Sequence, residues 1–219
     1  MLDIYPWQQT LWQQIVMRNQ HAHAYLLHGP AGIGKRVLAN QLAARLLCQQ
    51  PLALAACGEC KSCHLLAAGT HPDFYVLEPE EADKAIKVDQ VRDLVDFVVQ
   101  TPQLGGRKLV LLEPAEAMNP NAANALLKSL EEPAGNTVML LISHQPSRLL
   151  PTVRSRCVQQ ACPLPDETQS LDWMQVAHPE LDRQLAHELL RLSGGSPLTA
   201  LRLRALDVIG LREKVVEGV

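Results

Sequence analysis

The feature that most constrains this chain is the turn Gly29-Pro30-Ala31-Gly32-Ile33-Gly34-Lys35, which fits the pattern G-x-x-x-x-G-K. It follows a short apolar run, Ala24 to His28, and precedes helix-forming sequence from about Val37 to Leu47. A strand, a glycine-rich turn and a helix in that order form a phosphate cradle. Backbone N–H groups at the helix start face the ligand, and the lysine reaches its outer phosphates. Gly29, Gly32, Gly34 and Lys35 are therefore the candidate nucleotide-binding residues. The next position breaks the pattern. A Ser or Thr hydroxyl would ligate Mg²⁺ there, but the residue is Arg36, and a guanidinium cannot ligate a cation. Lys35 and the backbone keep the means to hold a phosphate, while productive Mg–ATP geometry is not expected.

A second lesion points the same way. A working site of this kind ends a later strand with an acidic pair, one acid for the metal and one to activate water. Here the apolar run Leu109 to Leu112 is followed by Glu113-Pro114. Glu113 suits the first role, but Pro114 has no ionisable group and cannot be a general base. Glu116 lies too far along the turn to replace it.

The rest of the chain alternates helical periodicity with strand-length apolar runs. Trp7, Leu11, Trp12, Ile15 and Val16 make one helical face, and Val88, Val91, Leu94, Val95 and Val98 another. Phe74 to Leu77, Lys108 to Leu112, Val138 to Ile142 and Val158 to Ala161 read as further strands. Asn119-Pro120 is a helix start, with proline at the first helical position. Fully apolar strands between helices imply a parallel sheet covered on both faces. After Cys162-Pro163-Leu164-Pro165 the pattern is all helical, at about 166–178, 180–192 and 197–206. The 219 residues are enough for one large domain or two small ones.

The N-terminus has no basic region leading into an apolar one, and no segment is long enough to span a bilayer. A cytoplasmic protein without a membrane partner is expected, and cysteines there need a reason other than disulfides. Cys48, Cys57, Cys60 and Cys63 follow the spacing C-x8-C-x2-C-x2-C. Four thiolates suit a tetrahedral, structural Zn²⁺ with no open position for catalysis. Two C-x2-C steps sharing Cys60 do not close a site alone, so Cys48 supplies the fourth ligand. Cys60-Lys61-Ser62-Cys63-His64 also matches the haem c attachment pattern, but that leaves Cys48 and Cys57 idle. A ferredoxin-type cluster fails because its fourth position is Ala67. Cys157 and Cys162 read as small buried hydrophobes.

Taken together, these residues resemble the delta-prime members of the bacterial DNA polymerase III clamp-loader family, relatives of the AAA+ proteins. The resemblance rests on the glycine-rich turn, the cysteine insertion after its helix, Asn-Ala-Leu-Leu-Lys-Ser-Leu-Glu-Glu-Pro at 124–133, and Ser155-Arg156-Cys157. It implies a RecA-like AAA+ α/β domain over 1–162 with a zinc module at about 48–66. A three-helix lid would occupy 163–210, and 211–219 would begin a linker to a helical collar domain. That collar has no room before Val219, so a shortened chain, monomeric alone, is expected. The resemblance also implies a pentameric ring with motor subunits and a delta subunit, acting on a sliding clamp and primed DNA. Arg156 would be an arginine finger offered in trans to a neighbour's ATP site. By the residues alone, Arg156 is either such a fixed cation or an ordinary surface arginine in a salt bridge, for Arg148 and Arg154 lie close by. Motor members carry a lid arginine in Gly-Ser-x-Arg, where this chain has Gly195-Ser196-Pro197-Leu198. The sensor position on the fourth strand falls at Ser143 or His144. These departures mark a non-hydrolysing subunit, neither polymerase nor ATPase itself, though part of a nucleotidyltransferase complex.

Two other functions compete with this one. An active ATPase motor of the same fold conflicts with Arg36 and Pro114. A zinc-dependent nucleic-acid-binding module conflicts with the net charge of −3 and the aromatic content of 4%.

Overall fold

A computed structural model describes residues 3–81, 83–208 and 210. The expected linker start at 211–219 lies outside the described residues. The elements run in the order α1 (Gln9–Val16), β1 (Ala24–His28), α2 (Lys35–Leu47), α3 (Lys61–Ala67), β2 (Phe74–Leu77), α4 (Val88–Val99), β3 (Leu109–Leu112) and α5 (Pro120–Glu131). They continue as β4 (Val138–Ser143), α6 (Pro151–Arg154), β5 (Val158–Ala161), α7 (Glu167–Ala177), α8 (Arg183–Leu192) and α9 (Pro197–Ala205). Among the described residues no helix is long and apolar enough to cross a membrane.

The five strands form one parallel sheet in the order β2-β3-β4-β1-β5. β3 and β4 are buried along their whole length, as expected of inner strands covered on both faces. β2 and β5 are the edges and are partly exposed. One face packs on α4 and α5 through Val91, Leu94, Val98, Leu126 and Leu130. α5 starts as the sequence requires, with the Asn119 side chain accepting from Ala122 N at 2.8 Å and Pro120 in the first turn.

Register aligns the strand ends. His28 pairs with both Ser143 and Ala161, and Leu77 with Leu112. The residues that leave the sheet at its carboxyl edge are therefore Gly29, Glu78, Glu113, His144 and Cys162. Parallel α/β sheets place their ligands at that edge.

Contacts divide the chain into two units. Of the described residues, one comprises 3–4, 9–29, 35–81 and 83–162; the other comprises 5–8, 30–34, 163–208 and 210. The first 35 residues thus contribute two short segments to the second unit. Trp7, expected on one helical face with Leu11, instead sits in a 3-10 turn, Pro6–Gln8, that belongs to that second unit.

In the second unit α7, α8 and α9 enclose Leu171, Met174, Leu181, Ala186, Leu189, Leu190 and Ala200. Asp166 and Asp182 cap α7 and α8 by accepting backbone N–H groups. Trp173 meets Tyr5 and Trp7 edge-on, with ring centroids 5.4 and 5.5 Å away. Aromatic T-contacts of this kind add to the burial of the rings.

Candidate functional site

The glycine-rich turn has the backbone its sequence requires. Gly32 and Gly34 have φ of 71° and 88°, which favour glycine. Its middle is packed by the second unit's own residues. The carbonyl of Ile33 accepts from Trp7 Nε1 and Gln8 Nε2, each at 2.8 Å. The carbonyl of Gly32 accepts from Leu198 N at 3.1 Å, and Ser196 Oγ donates to Ala31 O. A Cβ at Gly34 would overlap the Tyr5 ring, and one at Gly32 would overlap Thr199 and Ser196. In place of the motor-type lid arginine, Leu198 presents its backbone N–H to the turn.

In the first unit Lys35 is buried and donates to Gly29 O at 2.7 Å. Burial pulls its ammonium down to about 8, against the raising influence of Cys162, Glu113 and Glu116. Arg36 is the most telling residue at this edge. Its Nη1 donates to Glu113 Oε2 at 2.8 Å and also pairs with Glu78. A guanidinium therefore stands between two carboxylates, one of which is the candidate metal-binding acid. It supplies internally the positive charge that a divalent ion would otherwise bring. Ser143 is fully buried. His144 Nε2 lies 3.8 Å from Glu113 Oε1, so His144 is the one of the two that faces the acid. Glu116 is engaged elsewhere, its Oε1 accepting the backbone N–H groups of His144 and Gln145 at 2.7 and 2.9 Å.

Arg156 lies apart from these groups, just after α6. Its Nη2 pairs with Glu131, the last residue of α5, and its Nη1 donates to Thr152 O at 2.9 Å. The side chain keeps 32% of its surface exposed. The guanidinium is thus fixed in direction but still accessible from outside.

The four cysteines come together as their spacing predicts. Their Sγ atoms all lie within 4.8 Å of one another. Cys48 and Cys57 are 3.5 Å apart, while Cys48–Cys60 and Cys57–Cys63 are each 3.9 Å apart. Tetrahedral zinc with Zn–S of about 2.3 Å needs S···S of roughly 3.8 Å, so the donor set fits such an ion. Backbone N–H groups of Cys57 and Cys60 point at the sulfurs of Cys48 and Cys57, at 3.3 and 3.4 Å. The backbone donors on Cys57, from Glu59 and Cys60, hold its thiol below the ordinary value. Cys157 and Cys162 are buried and free, and burial raises their thiols to about 12 and about 11.

One fastening was not visible in the sequence. Ser62 Oγ donates to Leu47 O at 2.7 Å and contacts His71 Nε2 at 2.8 Å, while His71 Nδ1 accepts from Asp73 N. The Asp73 carboxylate turns away to Gln103 N and Leu104 N. The group looks like a Ser-His-Asp triad by residue type, but its bonds tie the cysteine insertion to α2 and the start of β2.

Fold and site together define a parallel-sheet α/β protein with a helical unit, a cysteine cluster that could hold a metal ion, and a glycine-rich turn beside a guanidinium-bridged acid pair. Comparison with known proteins narrows the class. The family described as DNA polymerase III, delta subunit, matches residues 6–164. The DNA polymerase III subunit delta' of Pseudomonas aeruginosa is 72% identical over 219 residues, covering 100% of this chain and 67% of that protein. The Escherichia coli subunit delta' is 37% identical over 217 residues, covering 98% and 65%. The chain belongs to the DNA polymerase III delta' family, and it spans about two thirds of the length of these relatives. Among solved structures, a DNA polymerase III gamma subunit-related protein from Thermotoga maritima aligns with a TM-score of 0.62 at 26% identity, covering 94% of this chain and 62% of that one. The RuvB Holliday junction branch migration motor of the same organism aligns at 0.53 and 16%, covering 93% and 61%, and shares the fold.

Proposed function

We propose that this chain is a stationary, non-hydrolysing subunit of the DNA polymerase III clamp loader, working in the cytoplasm. It sits in a pentameric ring with motor subunits and delta, and the ring loads the sliding clamp onto primed DNA. The observation that carries this reading is the Arg36 guanidinium between Glu113 and Glu78. Mg²⁺ entering there would meet a fixed positive charge, and Pro114 supplies no base to activate water. The bonds from Lys35 to Gly29 O and from the second unit to the carbonyls of the turn also support a chain that does not turn over nucleotide. Arg156 acts in trans, stabilising charge on the phosphoryl group transferred in a neighbour's site. Its support here is a direction set by Glu131 and Thr152 and a partly exposed guanidinium. The cysteine module holds one structural Zn²⁺ on Cys48, Cys57, Cys60 and Cys63, and the ion cross-links α2 to α3.

Two measurements test this. Steady-state ATPase of the purified chain should show no turnover above background, and turnover would return the chain to the motor class. A ring reconstituted with Arg156→Ala should assemble yet load clamps on the order of 10³-fold more slowly, as loss of an arginine finger does. Normal loading by that ring would remove the finger role while leaving the ATPase result standing.

A further inference from the structure

The amino edge of the sheet, away from the phosphate turn, holds a cavity of about 390 Å³ in the first unit. His21 reaches it from just before β1, Arg107 from just before β3, and Arg45 from the last turn of α2. Arg18, which follows α1, completes the set. Among the described residues no Asp or Glu lines this cavity, whose other ionisable lining groups are Cys48, at the edge of the cysteine cluster, and His71, and none of the three arginines has a carboxylate in an ion pair. Arg18 donates to Gln160 Oε1 at 2.9 Å and lies over the Tyr25 ring. Arg45 Nε is buried without a hydrogen-bond partner. His21 senses the concentration of charge: burial first, then Arg107, Arg45 and Arg18, holds its imidazole below its ordinary value. The turn Gly105-Gly106 on the cavity wall has φ of 72° and 91°, and open space where side chains would stand. Backbone can approach a ligand there without obstruction.

Three guanidiniums around one cavity repel one another, and a chain with net charge −3 has carboxylates available to neutralise them. None of those described is used. Planar guanidiniums match the geometry of phosphate oxygens, and the volume suits a small charged ligand rather than a single water.

We propose that this cavity is an oxyanion site for phosphate groups, brought by a free polyphosphate or by the backbone of a nucleic-acid strand. Arg45 and Arg107 supply the main charge-assisted hydrogen bonds and Arg18 the supporting field. The site is at the opposite edge of the sheet from the glycine-rich turn, so it stands or falls independently of the clamp-loader reading.

The test is calorimetric titration of the 219-residue chain with inorganic tripolyphosphate, alongside fluorescence anisotropy with a labelled oligothymidylate. Arg45→Gln and Arg107→Gln should each weaken binding by about tenfold, as loss of a hydrogen bond to a charged group does. Binding of tripolyphosphate alone identifies a small-ligand site. Binding of the oligonucleotide alone, falling steeply with salt, identifies a strand site. Because either substitution could also loosen the fold, the ring resonances of His21 in the unaltered chain give a second reading. They should shift on addition of whichever ligand binds. Absence of binding by both ligands, affinity unchanged in both variants, or unmoved His21 resonances would each overturn the proposal.

Discussion

The phosphate turn and the cysteine insertion meet the same electrostatic problem with opposite solutions. Each gathers groups suited to a cation: Glu113 and Glu78 at one, and Cys48, Cys57, Cys60 and Cys63 at the other. At the first, Arg36 supplies the charge from within the chain. At the second, no basic side chain among the described residues pairs with the sulfurs, which face one another at distances set for an ion. Counting ligand types therefore does not distinguish the two clusters. What separates them is whether the neutralising charge is already covalently attached.

The largest expected effect falls on the cysteines. Structural zinc contributes folding energy outright. Cys60→Ser, or stripping with a chelator, should lower the unfolding midpoint by about 10 °C or more, as several kcal/mol implies for a domain of this size. Metal analysis of the untreated chain should give about one zinc per chain. A stripped chain that melts at an unchanged temperature would mean that Ser62, His71 and Trp12 hold the insertion without help from a metal. Their bonds to Leu47 O, Asp73 N and Leu54 O are already in place.

Arg36→Thr probes the other side of the comparison. It restores the hydroxyl that Mg²⁺ chemistry uses, and it leaves Glu113 and Glu78 facing each other without their cation. Losing these charge-assisted bonds should cost about 2 kcal/mol, or roughly 4–8 °C in midpoint. Millimolar Mg²⁺ without nucleotide should recover part of the loss in the variant and do nothing for the parent chain. If Mg²⁺ does not rescue the variant, Arg36 is a plain salt-bridging arginine and not a substitute for the metal.

The sheet was largely legible because its strands are short apolar runs flanked by turn residues: β3 is Leu and Val throughout, β4 is apolar from Val138 to Ile142, and β1 from Ala24 to Leu27. The helical unit was legible from its period; its caps, Asp166 and Asp182, came from the structure. The cysteine site was legible because all its ligands fall within Cys48–Cys63, where spacing limits geometry. The phosphate site was legible only as a set of losses. Arg36 lies 42 and 77 positions from its two partners. Only the register of parallel strands, which aligns Leu77 with Leu112, brings Glu78 and Glu113 to one place. The grouping of Tyr5–Gln8 with Pro30–Gly34 was hidden for a related reason. Trp7 obeys the periodicity of α1, but Pro6 starts a 3-10 turn there and sends the indole to a different core.

Lys35 carries the smallest and most discriminating prediction. Its ammonium is held at about 8 in the folded chain, chiefly by burial, against about 10.4 for a free lysine side chain. Below pH 8 the group is charged in both states, and burying that charge opposes folding. Between pH 8 and 10 the folded form releases its proton while the unfolded chain keeps it, so the penalty fades as pH rises. Lys35→Met, which never carries the charge, should therefore raise the midpoint by about 2–4 °C at pH 7, the equivalent of about 1 kcal/mol. The gain should shrink towards zero near pH 10. A lysine that served a bound phosphate would behave in the opposite way: added nucleotide would raise the midpoint of the parent chain and leave Lys35→Met unmoved. An equal response of both chains to nucleotide, together with the pH-dependent gain, is the signature of a lysine retired onto its own loop carbonyl.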